Sequence, residues 1–148
     1  MDFMIERITE ENYSKFDDMV FWRTNGCECP PSEQPTPADI AKELKNPNLY
    51  IYAAESGGRY VGWISLIYIP KVGPWGGHGH VYVDELWVAP SFRNHGIAGA
   101  LMAKADELCE QLGAHGQRLY VNVNNPAALA LYEKMGFEKD GQAYWMQK

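Results

Sequence analysis

The sequence has few of the features that mark secreted, membrane-spanning or nucleic-acid-binding proteins. It contains only three cysteines, and this small, odd number builds no disulfide framework and fits a reducing compartment. No apolar run approaches the length of a membrane span, and the first residues show no basic or apolar leader. The net charge of −6 opposes general nucleic-acid binding, which favours a basic surface. We therefore expect a cytoplasmic protein with no membrane or nucleic-acid partner.

What is present is the composition of a globular protein, with 46% hydrophobic and 22% charged residues in a chain of 148. This length suits one domain over residues 1–148, and we see no repeat, low-complexity stretch or linker. The negative charge is uneven, because residues 1–45 hold ten Asp or Glu against five Lys or Arg, or −5 of the total −6. Such a segment is either a solvated surface or a region that draws cationic ligands toward a site.

Hydrophobic periodicity predicts a mixed α/β fold. Apolar residues at three-to-four spacing indicate helices from Glu10 to about Arg23 and from about Gly96 to Leu112. Val81–Val88 is apolar on both faces, as in the middle of a sheet. The other expected elements are strands over Met4–Ile8, Tyr50–Glu55, Tyr60–Ile69 and Arg118–Asn122, helices over residues 36–45 and Pro126–Met135, and a final hairpin over Phe137–Gln147. The resulting order, β-α-α-β-β-β-α-β-α-β-β, predicts a mixed sheet with helices on its faces.

The segment Arg93–Ala98 joins the predicted central strand to the long helix and suits an anion. The first amides of a helix lack helical partners, and the helix dipole favours negative charge there. Gly96 lets the backbone approach closely, Arg93 can pair with a phosphate oxygen, and Asn94 tolerates a left-handed conformation. The same residues also fit a plain strand-to-helix turn. They lack the Lys-Ser/Thr pair of a P-loop and the three glycines of a dinucleotide fingerprint.

Two stretches together resemble the acetyl-CoA signatures of the GNAT N-acetyltransferase superfamily. The first, Asp84–Ala98, contains Arg93, two residues, Gly96, one residue and Ala98. The family has Arg or Gln, two residues, Gly, one residue and then Gly or Ala. The second, Asn125–Phe137, follows about thirty residues later and ends like the family's Leu-Tyr-x-Lys-x-Gly-Phe. The resemblance is strong over residues 81–148 and only topological over residues 1–80.

This resemblance implies the fold and the cosubstrate. The fold is α/β, with a central, mostly antiparallel sheet, splayed middle strands and helices on both faces. The cosubstrate is acetyl-CoA, with no metal. Its pantetheine arm would enter the cleft between the splayed strands, and its pyrophosphate would rest on the turn. Homodimers are common in the family, which makes a homodimer the assembly to test. The residues expected at acetyl-CoA are Leu86, Trp87, Val88, Arg93, Asn94, His95, Gly96, Ile97, Ala98, Asn125 and Tyr132.

The resemblance also implies direct attack of a primary amine on the thioester, with two catalytic residues. Tyr132 is the candidate acid for the leaving thiolate, since a phenol can donate a proton. The alternative is a core aromatic residue on an amphipathic helix. Glu85 is the preferred general base, ahead of Asp84, which is expected on the opposite face of the strand. Both carboxylates also fit the rim of a cleft. The fallback bases are His80 and Tyr82, and Asn125 is expected to cap the helix at Pro126.

Two other groups of residues admit more than one interpretation. Cys27, Cys29, His78 and His80 are competent zinc ligands, but their spacing is not that of a familiar zinc finger, and loop cysteines and histidines are the ordinary alternative. Among the tryptophans, Trp63 and Trp87 are expected in the core and Trp75 at the surface.

The leading function is acetylation of a cationic small-molecule amine, such as a polyamine, an aminoglycoside-like compound or an amino sugar. Acetylation of a protein lysine or N-terminus is an alternative of the same class. A non-catalytic acyl-CoA sensor is an alternative of another class.

Overall fold

The computed structural model describes residues 1–148 with the exception of Gly76. One sheet holds five strands in the order β1-β2-β3-β4-β5. The first four strands pair antiparallel, and β4 pairs parallel with β5. The strands are β1 (Met4–Arg7), β2 (Leu49–Ser56), β3 (Arg59–Ile69), β4 (His80–Val88) and β5 (Gly116–Arg118). The α-helices are α1 (Tyr13–Asn25), α2 (Ala38–Glu43), α3 (Ile97–Leu112) and α4 (Pro126–Lys134), and 3₁₀ helices span Gly73–His78 and Pro90–Phe92.

Helices cover both faces of this sheet, as expected. On one face, the apolar stripe of α3 packs against inward side chains of β3 and β4, including Val81 and Val83. On the other face, Met19 of α1 is buried against Tyr60 and Trp63. The two cores hold β4 between α3 and α1, so its position is set from both sides. The tryptophans follow the expectation, with Trp63 buried, Trp87 half-buried and Trp75 64% exposed.

The helix α1 begins at Tyr13, three residues later than expected. The preceding residues form a turn instead, in which the Asn12 side chain accepts a hydrogen bond from the Thr9 amide at 2.8 Å. The Asn12 amide group also donates to the Arg7 carbonyl oxygen at 3.0 Å. Asparagine side chains commonly compete with helical hydrogen bonds in this way, which explains the later start.

The expected strand over Arg118–Asn122 and the final hairpin over Phe137–Gln147 are wrong. The strand spans only Gly116–Arg118, because Asn122 accepts hydrogen bonds from the amides of Asn124 and Asn125 and turns the chain. Residues 138–148 form neither helix nor strand, and all are exposed. The first arm of the expected hairpin is the charged run of residues 138–140, so only the other arm is apolar. An isolated two-stranded hairpin is marginal in water.

We predict that Gly62→Ala destabilises the protein, because β3 has no room for a side chain at this residue. An added Cβ would lie 2.9 Å from the Trp87 carbonyl oxygen and 3.2 Å from Val88 Cγ2. Overpacking of this kind costs about 1–3 kcal/mol, which urea unfolding with an unchanged m value would report.

The matched control is Gly99→Ala. Gly99 lies in α3, and an added Cβ there meets no atom within 4 Å. Alanine in a helix is favoured over glycine by about 0.5–1 kcal/mol, so this variant should be more stable. Equal free energies of unfolding for the two variants would contradict the packing account.

Candidate active site

The strands β4 and β5 are paired over only a short distance. The parallel pairs join His80–Tyr82 of β4 to Gly116–Arg118 of β5, whereas β4 continues to Val88. From Val83 onward, the edge of β4 toward β5 has no strand partner in the described chain. Its backbone groups are therefore available to a ligand, since such groups need hydrogen-bond partners. This gap is the parting of middle strands that the resemblance implied.

A β-bulge lies at the start of this gap. Ser65 of β3 pairs with Glu85, and the next residue pairs with Val83, so Asp84 is inserted without a partner on β3. Val83 and Leu86 both pack into the α3-side core. The two residues between them therefore share the opposite face, which is the face toward α1. The expectation that Asp84 and Glu85 point to opposite faces is wrong, because a bulge interrupts the alternation of a strand.

Glu85 is tied to α1. Its Oε2 atom accepts a hydrogen bond from Arg23 Nη1 at 3.2 Å and another from Trp63 Nε1 at 3.3 Å. The Arg23 guanidinium carbon also lies 5.1 Å from the centre of the Trp63 ring, within the range of a cation–π contact. The ion pair is partly exposed to solvent, so its contribution to stability is small. Its effect is to fix one carboxylate oxygen of Glu85.

Asp84, by contrast, makes no hydrogen bond or ion pair with any residue that the structure describes. Partial burial raises the pKa of Asp84, and the neighbouring charge of Glu85 raises it further. Tyr82 lies two residues earlier, and burial and then the charge of Asp84 raise the pKa of its phenol. The Tyr82 ring is edge-on to the ring of Tyr120, with centres 6.0 Å apart. Tyr120 is 76% exposed, so the pair opens toward solvent.

His80 begins the same row of β4 side chains and is 6% exposed. Burial lowers the pKa of His80, and the charges of Arg118 and Lys71 lower it further. Its Nδ1 atom has no hydrogen-bond partner among the residues that the structure describes. His80 is therefore a neutral, enclosed side chain at neutral pH and is less accessible to an acceptor than Asp84 is.

The turn after β4 has the geometry expected for an anion site. Asn94 and Gly96 adopt left-handed conformations, with φ of 62° and 82°. Across the described part of the chain, no backbone N–H from residues 94 to 99 donates to a turn or loop carbonyl. An added Cβ at Gly96 would meet no atom within 4 Å, so there is open space beside the turn. Arg93 braces the turn by donating from Nε to the Val88 carbonyl oxygen at 3.0 Å. This cradle of amides fits a pyrophosphate.

The second signature segment, Asn125–Phe137, is positioned by α4. Asn125 caps this helix, as expected, and its Oδ1 accepts from the Ala128 amide at 3.1 Å. Tyr132 is half-buried against the α3-side core, and its ring centre lies 5.9 Å from that of Phe137. Burial raises the pKa of the Tyr132 hydroxyl, so the phenol keeps its proton at neutral pH. An acid must begin in this state.

Several carboxylates of the acidic N-terminal segment bond to other residues of the fold. The Tyr60 hydroxyl donates to Glu6 at 2.6 Å, and Glu28 pairs with Arg59. Asp18 accepts the Ser32 amide at 3.0 Å and lies against the Cys29 thiol. The Tyr60–Glu6 bond joins β3 to β1, whereas Asp18 and Glu28 hold the loop after α1. The acidic side chains at the gap are those of the bulge. Two features of the site could not be predicted from the sequence. The hydrophobic pattern of β4 does not indicate a bulge, and no sequence motif links Arg23 to Glu85.

The zinc interpretation gains no geometric support. Cys27 is exposed, Cys29 contacts Asp18, and the ring of His78 lies 4.8 Å from that of His115. In the part of the chain that the structure describes, no three His, Cys, Asp or Glu side chains come together as metal ligands. No helix within that part is both long enough and apolar enough to span a membrane.

The gap, the bulge and the amide cradle can be compared with known proteins. The acetyltransferase (GNAT) family matches residues 16–137. The chain belongs to the GNAT family. A relative is the mycothiol acetyltransferase of Pseudarthrobacter chlorophenolicus, with 31% identity over 70% of this chain and 33% of that protein. The chain thus spans about a third of that relative's length.

Solved structures show the same fold at full length. An aminoglycoside acetyltransferase from an uncultured soil metagenomic sample is similar with a TM-score of 0.81 and 22% identity, covering 100% of this chain and 99% of that one. An aminoglycoside N-acetyltransferase in complex with CoA has a TM-score of 0.76 and 16% identity, covering 98% of each chain. At these identities, the likeness concerns the fold of this GNAT domain.

Proposed function

We propose that this GNAT domain transfers an acetyl group from acetyl-CoA to the primary amine of a cationic small molecule, by direct attack in a ternary complex. The observation that carries the proposal is the pair of carboxylates, Asp84 and Glu85, on one face of β4 beside the gap. Negative charge at a partly enclosed site draws cations, and the exposed ring of Tyr120 adds a surface that a cation favours. The likeness to aminoglycoside acetyltransferases supports the same class of acceptor.

The proposed position of acetyl-CoA follows the unpaired edge of β4. Backbone groups of Leu86, Trp87 and Val88 would bind the pantetheine arm in place of a strand partner. The amides of the Arg93–Ala98 turn would bind the pyrophosphate. The remaining turn residues, Asn94, His95, Gly96 and Ile97, supply these amides, and the side-chain amide of Asn125 would contact the pantetheine while it caps α4.

Acetyl-CoA supplies an acetyl group activated as a thioester. In the proposed reaction, a bulge carboxylate accepts a proton from the acceptor's ammonium group, which frees the nitrogen to attack. A backbone N–H near Leu86 stabilises the negative charge that develops on the carbonyl oxygen. Tyr132 donates its phenolic proton toward the departing sulfur. A protonated Tyr132 together with an open amide turn supports catalysis over a sensor that only binds acyl-CoA.

The acceptor class can be tested with a panel of amines. We expect kcat/KM for polyamines, aminoglycosides and amino sugars to exceed that for lysine-bearing and N-terminal peptides by about tenfold, since a difference of about 1.4 kcal/mol in the attraction between the acceptor and the two carboxylates would produce it. The preference should weaken as salt rises, because salt screens charges. The readouts are CoA release, blanked for the protein's own thiols, and the mass of the acetylated amine. A preference for peptides would favour protein acetylation, and binding without turnover would favour a sensor.

The cofactor position can be tested with Gly96→Glu. This change adds bulk and negative charge where the pyrophosphate would bind, so acetyl-CoA should no longer raise the melting temperature, as a ligand of the folded state otherwise does. Gly96→Ala is the matched control, because it carries the same backbone strain at φ 82° without the charge. Gly96→Ala should melt lower than the wild type but still respond to acetyl-CoA. A wild-type thermal shift in folded Gly96→Glu would contradict the proposed position.

The acid can be tested with Tyr132→Phe, which removes one hydroxyl and keeps the ring packed against Phe137. If the phenol protonates the leaving thiolate, kcat should fall by about two to four orders of magnitude. The dissociation constant for acetyl-CoA and the melting temperature should stay near those of the wild type. A loss confined to kcat marks an interaction made in the transition state. A kcat within a few-fold of the wild-type value would make Tyr132 a packing residue.

A further inference from the structure

The two carboxylates of the bulge have different surroundings, and this difference assigns them different roles. We propose that Asp84, the residue inserted by the bulge, takes the proton from the acceptor's ammonium group, and that Glu85 is a positioning residue held by Arg23 and Trp63. The inference rests on the proposed function and names the base within it. It reverses the order expected from the sequence, in which Glu85 was preferred.

The geometry supports this assignment in three ways. The bulge leaves Asp84 outside the β3–β4 ladder, next to the first residue of β4 that β5 no longer covers. Its carboxylate has no partner among the residues that the structure describes, so both oxygens are available to an acceptor. Glu85 has one oxygen committed to Arg23 and to the Trp63 indole. To take a proton there, an acceptor would have to compete with both donors.

The charge of Glu85 also acts on Asp84. Partial burial raises the pKa of Asp84, and the Glu85 carboxylate raises it further, which brings the base closer to the pH at which it must work. Arg23 keeps Glu85 on the same face and close by. The other titratable or charged groups near this region are His80 and Tyr82 on β4, Arg118 at the end of β5, and Tyr120 just after β5. Of these, Tyr82 is edge-on to Tyr120, and burial and then the charge of Asp84 raise the pKa of its phenol.

One base is sufficient to balance the protons transferred in one turnover. The ammonium nitrogen loses one proton to Asp84, and its lone pair then forms the N–C bond. The C–S bond breaks, and the electron pair leaves on sulfur. The nitrogen loses its second proton as the amide forms, which balances the proton that Tyr132 gives to sulfur. The proton on Asp84 passes to solvent, so each turnover releases one proton overall.

The experiment compares Asp84→Asn with Glu85→Gln, two changes that each replace a carboxylate by an amide of the same shape. Asp84→Asn should lower kcat by about 10²–10⁴-fold, the usual range for loss of a positioned base, and Asp84→Glu should restore part of the rate. Glu85→Gln should keep most of kcat and move the acid limb of the kcat/KM profile to lower pH. The sign follows because removal of the Glu85 charge lowers the pKa of Asp84. Asp2→Asn, at the far edge of the sheet on the β1 side, is the control for loss of one negative charge.

Melting temperature and the acetyl-CoA thermal shift should match the wild type in Asp84→Asn, since Asp84 has no partner to lose among the residues that the structure describes. In Glu85→Gln the acetyl-CoA thermal shift should stay, and the melting temperature should fall only slightly, because the exposed ion pair with Arg23 contributes little to stability. A collapse of kcat in Glu85→Gln with a mild effect of Asp84→Asn would overturn the assignment. An active Asp84→Asn enzyme, in which the acid limb stays in place, would also overturn it. If the wild type acetylates no amine at all, the proposed function fails first and this inference fails with it.

Discussion

The hydrogen bonds that β4 leaves unmade beyond Tyr82 are the constraint on which the rest of the site depends. A strand in the middle of a sheet normally pairs on both edges, and an unpaired edge inside a domain must be covered or must bind something. Here β5 leaves after three pairs, while β4 stays paired with β3 along its length. The same strand carries the bulge at the start of the gap and ends at the amide turn. One strand therefore positions both the charge and the anion-binding amides.

The packing on the two faces of β4 gives this strand its rigidity. On one side, α3 is buried through its apolar stripe, and this also fixes the start of the helix, where the turn amides lie. On the other side, α1 is anchored by Met19 and Phe16, and its last turn delivers Arg23 to Glu85. The acidic loop after α1 is held by Asp18 and Arg59. Asp18 and Glu28 of the N-terminal segment thus support the placement of the loop after α1, and the charge at the gap comes from Asp84 and Glu85 of the bulge.

Sequence patterns were sufficient for the elements whose determinants are local. The structure confirms three such features: the apolar stripe of α3, Gly96 at the start of that helix, and Asn125 as the cap of α4. Each depends only on residues a few positions away. The bulge was missed because it depends on the register of β3 against β4, which reverses the expected face of Asp84. The Arg23–Glu85 pair joins residues 62 positions apart, and no spacing rule reports such a contact. The final hairpin was wrong because its first arm carries the charged run of residues 138–140, so two apolar arms are not available to pair.

The most direct test of the account is hydrogen–deuterium exchange of the protein with and without acetyl-CoA, read as local protection of backbone amides. If the unpaired edge of β4 and the turn after it bind the pantetheine and the pyrophosphate, acetyl-CoA should slow exchange at residues 84–88 and 94–99. Exchange in β1 and β2, at the far side of the sheet, should not change. Protection confined to the cavity between α1 and the β2–β3 turn, lined by Asp18, Cys29 and Arg59, with none on β4, would contradict the account.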